Sequence, residues 1–230
     1  MITEYKIKAF LCANIVEIYR YSMIQRRGLP SGNSNPGARS ENVEKTSSSI
    51  GRSKKTVRRL INSNPDLKKF YTLTFRENEC DLDNAHRLFK QFMVKMKRRY
   101  PGMKYVAVPE FQKRGAVHYH FLCNLRFVRV EKISKIWGNG YIWINRATNL
   151  KNVGGYLMKY MRKEMDDERL YGRRTYLFSL NLEKPVELLD ENVEKYLKMM
   201  GTDLKEISHF TFSTPISEVK FSMLCRVSKK

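Results

Sequence analysis

The sequence predicts an α+β protein whose core is a central, mostly antiparallel five-stranded sheet with helices packed on it. Two observations predict this class. Five short segments rich in β-branched and aromatic residues alternate with segments in which apolar residues recur at helical spacing. Two of the five are joined by a tight hairpin, so they must run antiparallel. The predicted strands are residues 71–75, 105–108, 117–123, 141–144 and 175–179.

The helices between these strands are indicated by periodicity and by their end signals. After Asp83, a suitable N-cap, apolar residues recur on one helix face until Pro101 and Gly102 end the pattern. Two further helices are predicted at residues 131–137 and at about residues 149–164. The hairpin turn is predicted at residues 112–115, where Gly115 suits a tight turn. The apolar residues of the first helix are Ala85, Leu88, Phe89, Phe92, Met93 and Met96.

Composition divides the chain around this domain. Residues 1–25 are predicted to be an N-terminal helical segment, and residues 26–52, rich in Gly, Ser, Pro and Asn, a flexible linker. Residues 53–180 form the α+β domain, led by a basic helix in which Val57, Leu60 and Ile61 have helical spacing. Residues 181–230 are predicted to be a C-terminal α/β extension of unknown role, with a helix at 190–200 and strands at 210–212 and 219–227.

The charge balance indicates a polyanionic partner. The chain of 230 residues has 44 Lys and Arg against 23 Asp and Glu, a formal net charge of +21. Residues 1–69 carry an excess of nine basic side chains and residues 70–180 an excess of twelve, whereas residues 181–230 are balanced. Nucleic acid should therefore be bound by the first two segments. Within them we expect Arg58 and Arg59 of the basic helix, and Lys113 and Arg114 of the hairpin turn, to contact it.

Cysteine usage and hydropathy narrow the remaining classes. The four cysteines are widely spaced, so neither a disulfide framework nor a structural zinc site is expected. The apolar stretch at residues 9–16 is too short to span a bilayer and has no small-residue cleavage site after it. We therefore expect a cytoplasmic protein with reduced thiols and no membrane segment.

His118 and His120 form the first chemically suggestive pattern. Side chains alternate faces along a strand, so these two project from the same face and could share one metal ion. Glu110 lies across the hairpin at the end of the preceding strand, and its carboxylate could complete a site of two imidazoles and one oxygen. Gln112, on the same side, is an alternative third ligand. Two ordinary strand histidines would give the same sequence pattern.

A second pattern combines tyrosines and lysines on the predicted helix at residues 149–164. Tyr156 and Tyr160 lie one turn apart on one face, and Lys159 and Lys163 each follow a tyrosine by three residues. A nearby cation favours the phenolate that tyrosine-based covalent catalysis needs. An amphipathic helix with aromatic residues toward the sheet would also explain this spacing, although the preceding Gly154 and Gly155 cost helix stability.

Taken together, the patterns resemble the HUH-endonuclease family of rolling-circle replication initiators, whose fold is ferredoxin-like or RRM-like. Tyr71-Thr-Leu-Thr-Phe75 is similar to the first family motif, and His118-Tyr-His120 to the second. The segment 156–163 is similar to the two-tyrosine form of the third, which is found in initiators of small isometric single-stranded DNA phages. The resemblance covers roughly residues 70–180.

The resemblance implies a mechanism and partners. His118, His120 and Glu110 would bind Mn²⁺ or Mg²⁺, and Tyr156 or Tyr160 would attack the scissile phosphate of single-stranded origin DNA, leaving a 5′-phosphotyrosine and a free 3′-OH. Tyr156 is slightly favoured as first nucleophile, with Lys159 and Lys163 neutralising phosphate or transferring protons. The chain has no phosphate-binding G-x-x-x-x-G-K-[ST] loop, so a host helicase and the replication machinery of a bacterial host are implied partners.

Three classes remain open from the sequence. The replication initiator is the first, and a transposase with the same motif order is the second, although such enzymes usually have a single tyrosine. The third is a non-enzymatic nucleic-acid-binding module, in which exposed sheet aromatics stack on bases and the histidines are incidental. Convergence of Glu110, His118 and His120 on one face of the sheet would favour the enzyme.

Overall fold

The computed structural model describes residues 2–28, 47–146, 168–170 and 173–227. It divides into two compact units, one formed by residues 42–183 and the other by residues 1–41 together with 184–230. Among the described residues, no helix has both the length and the hydropathy needed to cross a membrane. The strands and helices in chain order are β1 Thr3–Cys12, β2 Ile15–Arg27, α1 Ser47–Ser63, β3 Lys69–Leu73, α2 Leu82–Arg99, β4 Tyr105–Phe111, β5 Val117–Cys123, α3 Val130–Trp137, β6 Ile142–Arg146, β7 Leu177–Phe178, β8 Val186–Leu189, α4 Glu191–Met200, β9 Leu204–Thr214 and β10 Ser217–Arg226.

The unit of residues 42–183 contains the predicted five-stranded sheet. Its strand order is β6-β3-β5-β4-β7, and every neighbouring pair is antiparallel. The predicted α+β class is therefore confirmed. The centre of the sheet is the β4–β5 hairpin with β3 beside it, so the predicted histidine strand β5 is central, with a neighbour on both edges.

One face of this sheet is covered by α2 and α3. The apolar residues that predicted α2 form its buried side, with Ala85, Phe89 and Met96 fully buried. They pack against Tyr119 and Phe121 of β5, among other sheet residues of the same face. The observed N-cap is Asp81, whose carboxylate accepts from the backbone N–H of Asp83. The predicted cap at Asp83 is thus wrong by two residues, because an aspartate is equally acceptable in the first helical turn.

The other face of the sheet is packed by α1. Val57, Leu60 and Ile61, the predicted apolar residues of the basic helix, are buried there against Phe70 of β3 and against Val106, Val108 and Leu122 of β4 and β5. The helix begins at Ser47, so the predicted linker is wrong for residues 47–52, and residues 26 and 27 belong to β2. Ser and Gly lower helix stability by at most about 1 kcal/mol each, which the apolar packing further along offsets. The rest of the predicted linker, residues 29–46, lies outside the described residues.

The second unit is built from both ends of the chain. Its sheet has the order β8-β1-β2-β10-β9, again antiparallel throughout. The prediction that residues 1–25 are helical is therefore wrong, because β1 and β2 form a hairpin turning at Ala13 and Asn14. Alternate residues, such as Ile18 and Tyr19 of β2, face two different apolar clusters, which is the period of a strand and not of a helix.

The predicted C-terminal elements of this unit are confirmed in type. The helix α4 begins one residue after the predicted start, and Val193 packs with Ala9, Val16 and Ile18 on one face of the sheet. The two predicted strands correspond to β9 and β10. What the sequence did not predict is their partner, because β10 pairs with β2 over seven residue pairs.

Candidate active site

The candidate site lies on the α1 face of the first sheet, where Glu110, His118 and His120 come together. The register of the β4–β5 hairpin places Glu110 directly opposite His118, and His120 two residues further along the same face. All three side chains are buried. The convergence that the sequence analysis required of an enzyme is therefore present for these three residues.

The hairpin turn fixes this register. Gln112 donates its backbone N–H to Ala116 at 2.8 Å, and Gly115 donates to Gln112 at 2.8 Å. Gly115 has a φ of 90°, a conformation that residues with a Cβ rarely adopt. The predicted role of this glycine is thus confirmed, and a slip of one residue would turn Glu110 to the other face.

His120 is held by contacts on both ring nitrogens. Its Nε2 lies 2.5 Å from Oε2 of Glu110, and its Nδ1 lies 3.1 Å from the hydroxyl of Thr72 on β3. The ring also stacks on Phe70, with centroids 5.7 Å apart. An ionised carboxylate only accepts, so Nε2 donates to Glu110, and in the neutral ring Nδ1 accepts the Thr72 hydroxyl. The orientation of His120 is therefore fixed by the neighbouring strands.

His118 has a different environment. Its Nε2 is buried and has no hydrogen-bond partner among the described residues. Burial lowers the pKa of His118 to about 4, with the charges of His120 and Arg114 acting in the same direction and that of Glu110 against it. The imidazole is consequently neutral at pH 7, the form in which histidine binds metal ions.

These residues can be compared with what a divalent metal ion requires. Two imidazoles and one carboxylate are suitable donors, and a buried ring nitrogen without a partner is an atom that a bound ion would satisfy. As arranged, however, the described residues contain no group of three His, Cys, Asp or Glu side chains placed to hold one ion. The reason is that Glu110 and His120 bond each other, so metal binding must replace that bond. The donor set fits such an ion once Glu110 turns away from His120.

The alternative third ligand, Gln112, is engaged elsewhere. Its side-chain oxygen accepts from Nε of Arg114 at 3.0 Å, within the turn. It is Glu110 that contacts a histidine. The structure thus favours Glu110 over Gln112 as the carboxylate or amide partner of the pair.

The predicted nucleic-acid-binding residues lie on two elements near this face. Lys113 and Arg114 are exposed in the turn beside the site, and Arg114 is close enough to lower the pKa of His118. Arg58 and Arg59 are half-buried on α1, the helix that packs on the same face. The predicted Tyr156, Tyr160, Lys159 and Lys163 lie outside the described residues.

Two residues that contribute to the site were missed by the sequence analysis. Thr72 and Phe70, which contact His120, lie on β3 within and just before the first motif. Their even numbering places them on one face of the strand, but which strand adjoins β5, and in what register, is decided only by tertiary pairing. No signal in the sequence alone would have selected them.

An antiparallel sheet that carries a histidine pair and a carboxylate on one face, with its strands in this chain order, is the framework that the motifs indicated for a rolling-circle replication initiator. Residues 68–165 match the family described as replication-associated protein of the ORF2 type, and the domain that they form belongs to this family. The match begins just before β3 and includes all three site residues and the segment of both tyrosines. No curated protein and no solved structure gave a significant match to the chain.

Proposed function

We propose that this replication initiator nicks single-stranded origin DNA by tyrosine attack and afterwards rejoins the ends. The observation that carries the proposal is the convergence of Glu110, His118 and His120 on one sheet face, within the region that matches the replication-associated family. The formal charge of +21 supports a DNA substrate.

In this proposal the three convergent residues hold Mn²⁺ or Mg²⁺. Such an ion, when bound, acts as a Lewis acid toward the scissile phosphate. Glu110 supplies negative charge to the donor set and His118 supplies a neutral imidazole. Thr72 and Phe70 keep the ring of His120 in position. The sheet thus presents ligands on rigid strands, which is how precise sites are usually built.

The covalent step is assigned to Tyr156 or Tyr160. The phenolic oxygen attacks phosphorus, a bond from that oxygen to the 5′-phosphate forms, and the bond from phosphorus to the 3′-oxygen breaks. The phenol loses its proton and the departing 3′-oxygen gains one, with Lys159 or Lys163 as donor or acceptor. The reverse reaction rejoins the strand, so no nucleoside triphosphate is consumed.

Two tyrosines one turn apart suit successive nicking. One would hold the 5′ end while the other cleaves the regenerated origin, so that removal of one leaves nicking but impairs completion. Duplex unwinding is assigned to a host helicase, because the chain has no Walker-type phosphate loop.

The test is formation of a covalent adduct. Purified protein is incubated with Mn²⁺ and labelled single-stranded DNA carrying candidate origin sequence, and the products are separated on a denaturing protein gel. We expect a labelled adduct that disappears with chelator, with His118→Ala and with the double variant Tyr156→Phe/Tyr160→Phe. The single variants identify the first nucleophile.

Binding without adduct, across varied origins and metals, would replace the nickase with the non-enzymatic binding module. An adduct that persists in the double tyrosine variant would assign the nucleophile to another residue.

A further inference from the structure

Two large aromatic side chains, Tyr141 and Trp143, stand exposed side by side at the edge of the first sheet. Trp143 is 57% exposed and Tyr141 is 65% exposed, and their ring centroids are 6.3 Å apart. The only other tryptophan, Trp137, is 2% exposed and donates its indole N–H to the backbone oxygen of Thr74. Adjacent exposed rings of this size are typical of a binding surface.

The strand register places this pair on the same sheet face as the candidate active site. Trp143 of β6 is directly opposite Thr72 of β3, and Thr72 bonds Nδ1 of His120 on β5. Directly paired residues project to the same side, so Trp143, Thr72 and His120 form one row across three strands. Neighbouring strands are about 4.8 Å apart, which puts the backbone of Trp143 roughly 10 Å from that of His120.

Positive charge lies at both ends of this row. Arg76 donates its backbone N–H to Asn139, two residues before Tyr141, and among the described residues its guanidinium has no ion pair. Arg114 lies at the other end, beside His118. Flat rings between cations match the chemistry of an unpaired nucleic-acid strand, whose bases stack and whose phosphates are anionic.

We propose that Tyr141 and Trp143 form a base-stacking platform for single-stranded DNA on the β6 side of the histidine site. The inference rests on the proposed function, because it places nucleotides adjacent to the scissile phosphate on these rings. The platform orients the strand and favours unpaired bases over duplex, whose bases are stacked on each other. A protein partner would not need cations at both ends of the row.

Fluorescence offers a direct test, because one tryptophan is exposed and the other is buried. The full chain is titrated with oligo(dT) of about 12 nucleotides in metal-free buffer, so that no cleavage occurs. We expect quenching of the exposed part of the tryptophan emission. Trp143→Phe should remove most of the quenching while keeping binding, and Trp143→Ala and Tyr141→Ala should each raise Kd by about five- to a hundredfold.

A matched control exists on the other side of the sheet. Phe127 is 78% exposed, and the surface pocket that it lines includes Tyr71 and Ile144, whose positions alternate with Thr72 and Trp143. Phe127→Ala should leave both Kd and quenching unchanged. Equal loss with Phe127→Ala would indicate nonspecific binding and overturn the platform.

The outcome can be separated from that of the nickase proposal. If the wild-type protein forms the covalent adduct but Trp143→Ala and Tyr141→Ala bind oligo(dT) as wild type does, the platform is wrong and the nickase stands. If quenching and the Kd changes occur without any adduct, the platform stands and the nickase is wrong. Binding of oligo(dT) with no change in tryptophan emission also rejects the platform.

Discussion

The carboxylate of Glu110 bonds His120 and not His118, the residue directly opposite it in the hairpin. The Oε2–Nε2 distance is 2.5 Å, while Nε2 of His118 has no partner among the described residues. The Glu110 side chain is thus positioned between two imidazoles with unequal environments. Its contribution to metal binding can be measured separately from that of the histidines.

Glu110→Gln is expected to weaken Mn²⁺ binding about tenfold or more, because an amide oxygen carries no net charge to offset that of the ion. Isothermal titration calorimetry of the full chain measures this directly. Glu77→Gln, an exposed acid outside the site, is the control and should bind Mn²⁺ as wild type does. Equal affinity for the Glu110→Gln variant and wild type would remove Glu110 from the ligand set.

Thr72→Val should lower Mn²⁺ affinity and adduct formation by about tenfold to a hundredfold, although Thr72 is not a ligand. Its hydroxyl orients His120 through Nδ1, and valine has nearly the same shape without that hydrogen bond. Thr72→Ser restores the hydroxyl and should restore both properties. If Ser and Val behave alike, the hydroxyl does not position the ring.

Tyr119→Phe should lower the free energy of unfolding by about 1–3 kcal/mol. Nε2 of His86 donates to the backbone oxygen of Arg174 at 3.2 Å, so Nδ1 is left to accept the Tyr119 hydroxyl, 2.5 Å away. The phenylalanine leaves that buried nitrogen without a donor. Urea denaturation provides the measurement. Tyr105→Phe is the control, because no described residue is hydrogen-bonded to the Tyr105 hydroxyl, and it should be closer to neutral.

The same histidine should titrate below its usual range. Burial lowers the pKa of His86, assisted by Lys90 and opposed by the Arg174 carbonyl and Asp83. The unfolded chain therefore binds a proton at higher pH than the folded chain does, so the contribution of His86 to stability is complete above about pH 6.5 and is lost as pH falls through the lower folded pKa. An NMR titration of the His86 ring checks this. A midpoint at or above 6.5 would contradict it.

Two glycines should respond oppositely to alanine. A Cβ at Gly140 would collide with the backbone of Thr74, Phe75 and Arg76, so Gly140→Ala should destabilise the domain by about 1–3 kcal/mol or more. Gly51 lies in α1 with open space around it, and Gly51→Ala should stabilise by about 0.5–1 kcal/mol. Thermal or urea unfolding of both variants gives the comparison. The same sign for both would show that helix propensity or steric collision has been misjudged.

Periodicity predicted the first sheet well because its signals are local. The alternation around His118 and the helical spacing around Phe89 each lie within one element, and the turn at Gly115 links two strands of known direction. These features sufficed to place Glu110 beside the histidine pair. They could not place Thr72 beside His120, because that contact depends on which strand pairs with β5.

The N-terminal segment failed for the opposite reason. Ile15, Val16 and Ile18 are apolar on both sides of the strand, because both faces of β2 carry apolar clusters. A short apolar run of this kind does not distinguish a strand from a buried helix. The decisive information is the pairing of β2 with β10, about 200 residues away in the sequence.

That pairing has a consequence for synthesis of the protein. Emerging from the ribosome, β1 and β2 make only a lone hairpin, which is marginal in water, until β10 has been translated. The 42–183 unit is continuous in sequence and can fold in the interval, whereas the terminal sheet has its largest loop closure still ahead of it. A chain shortened before β8 would display the unpaired edges of β1 and β2, the kind of surface on which strands from separate molecules associate.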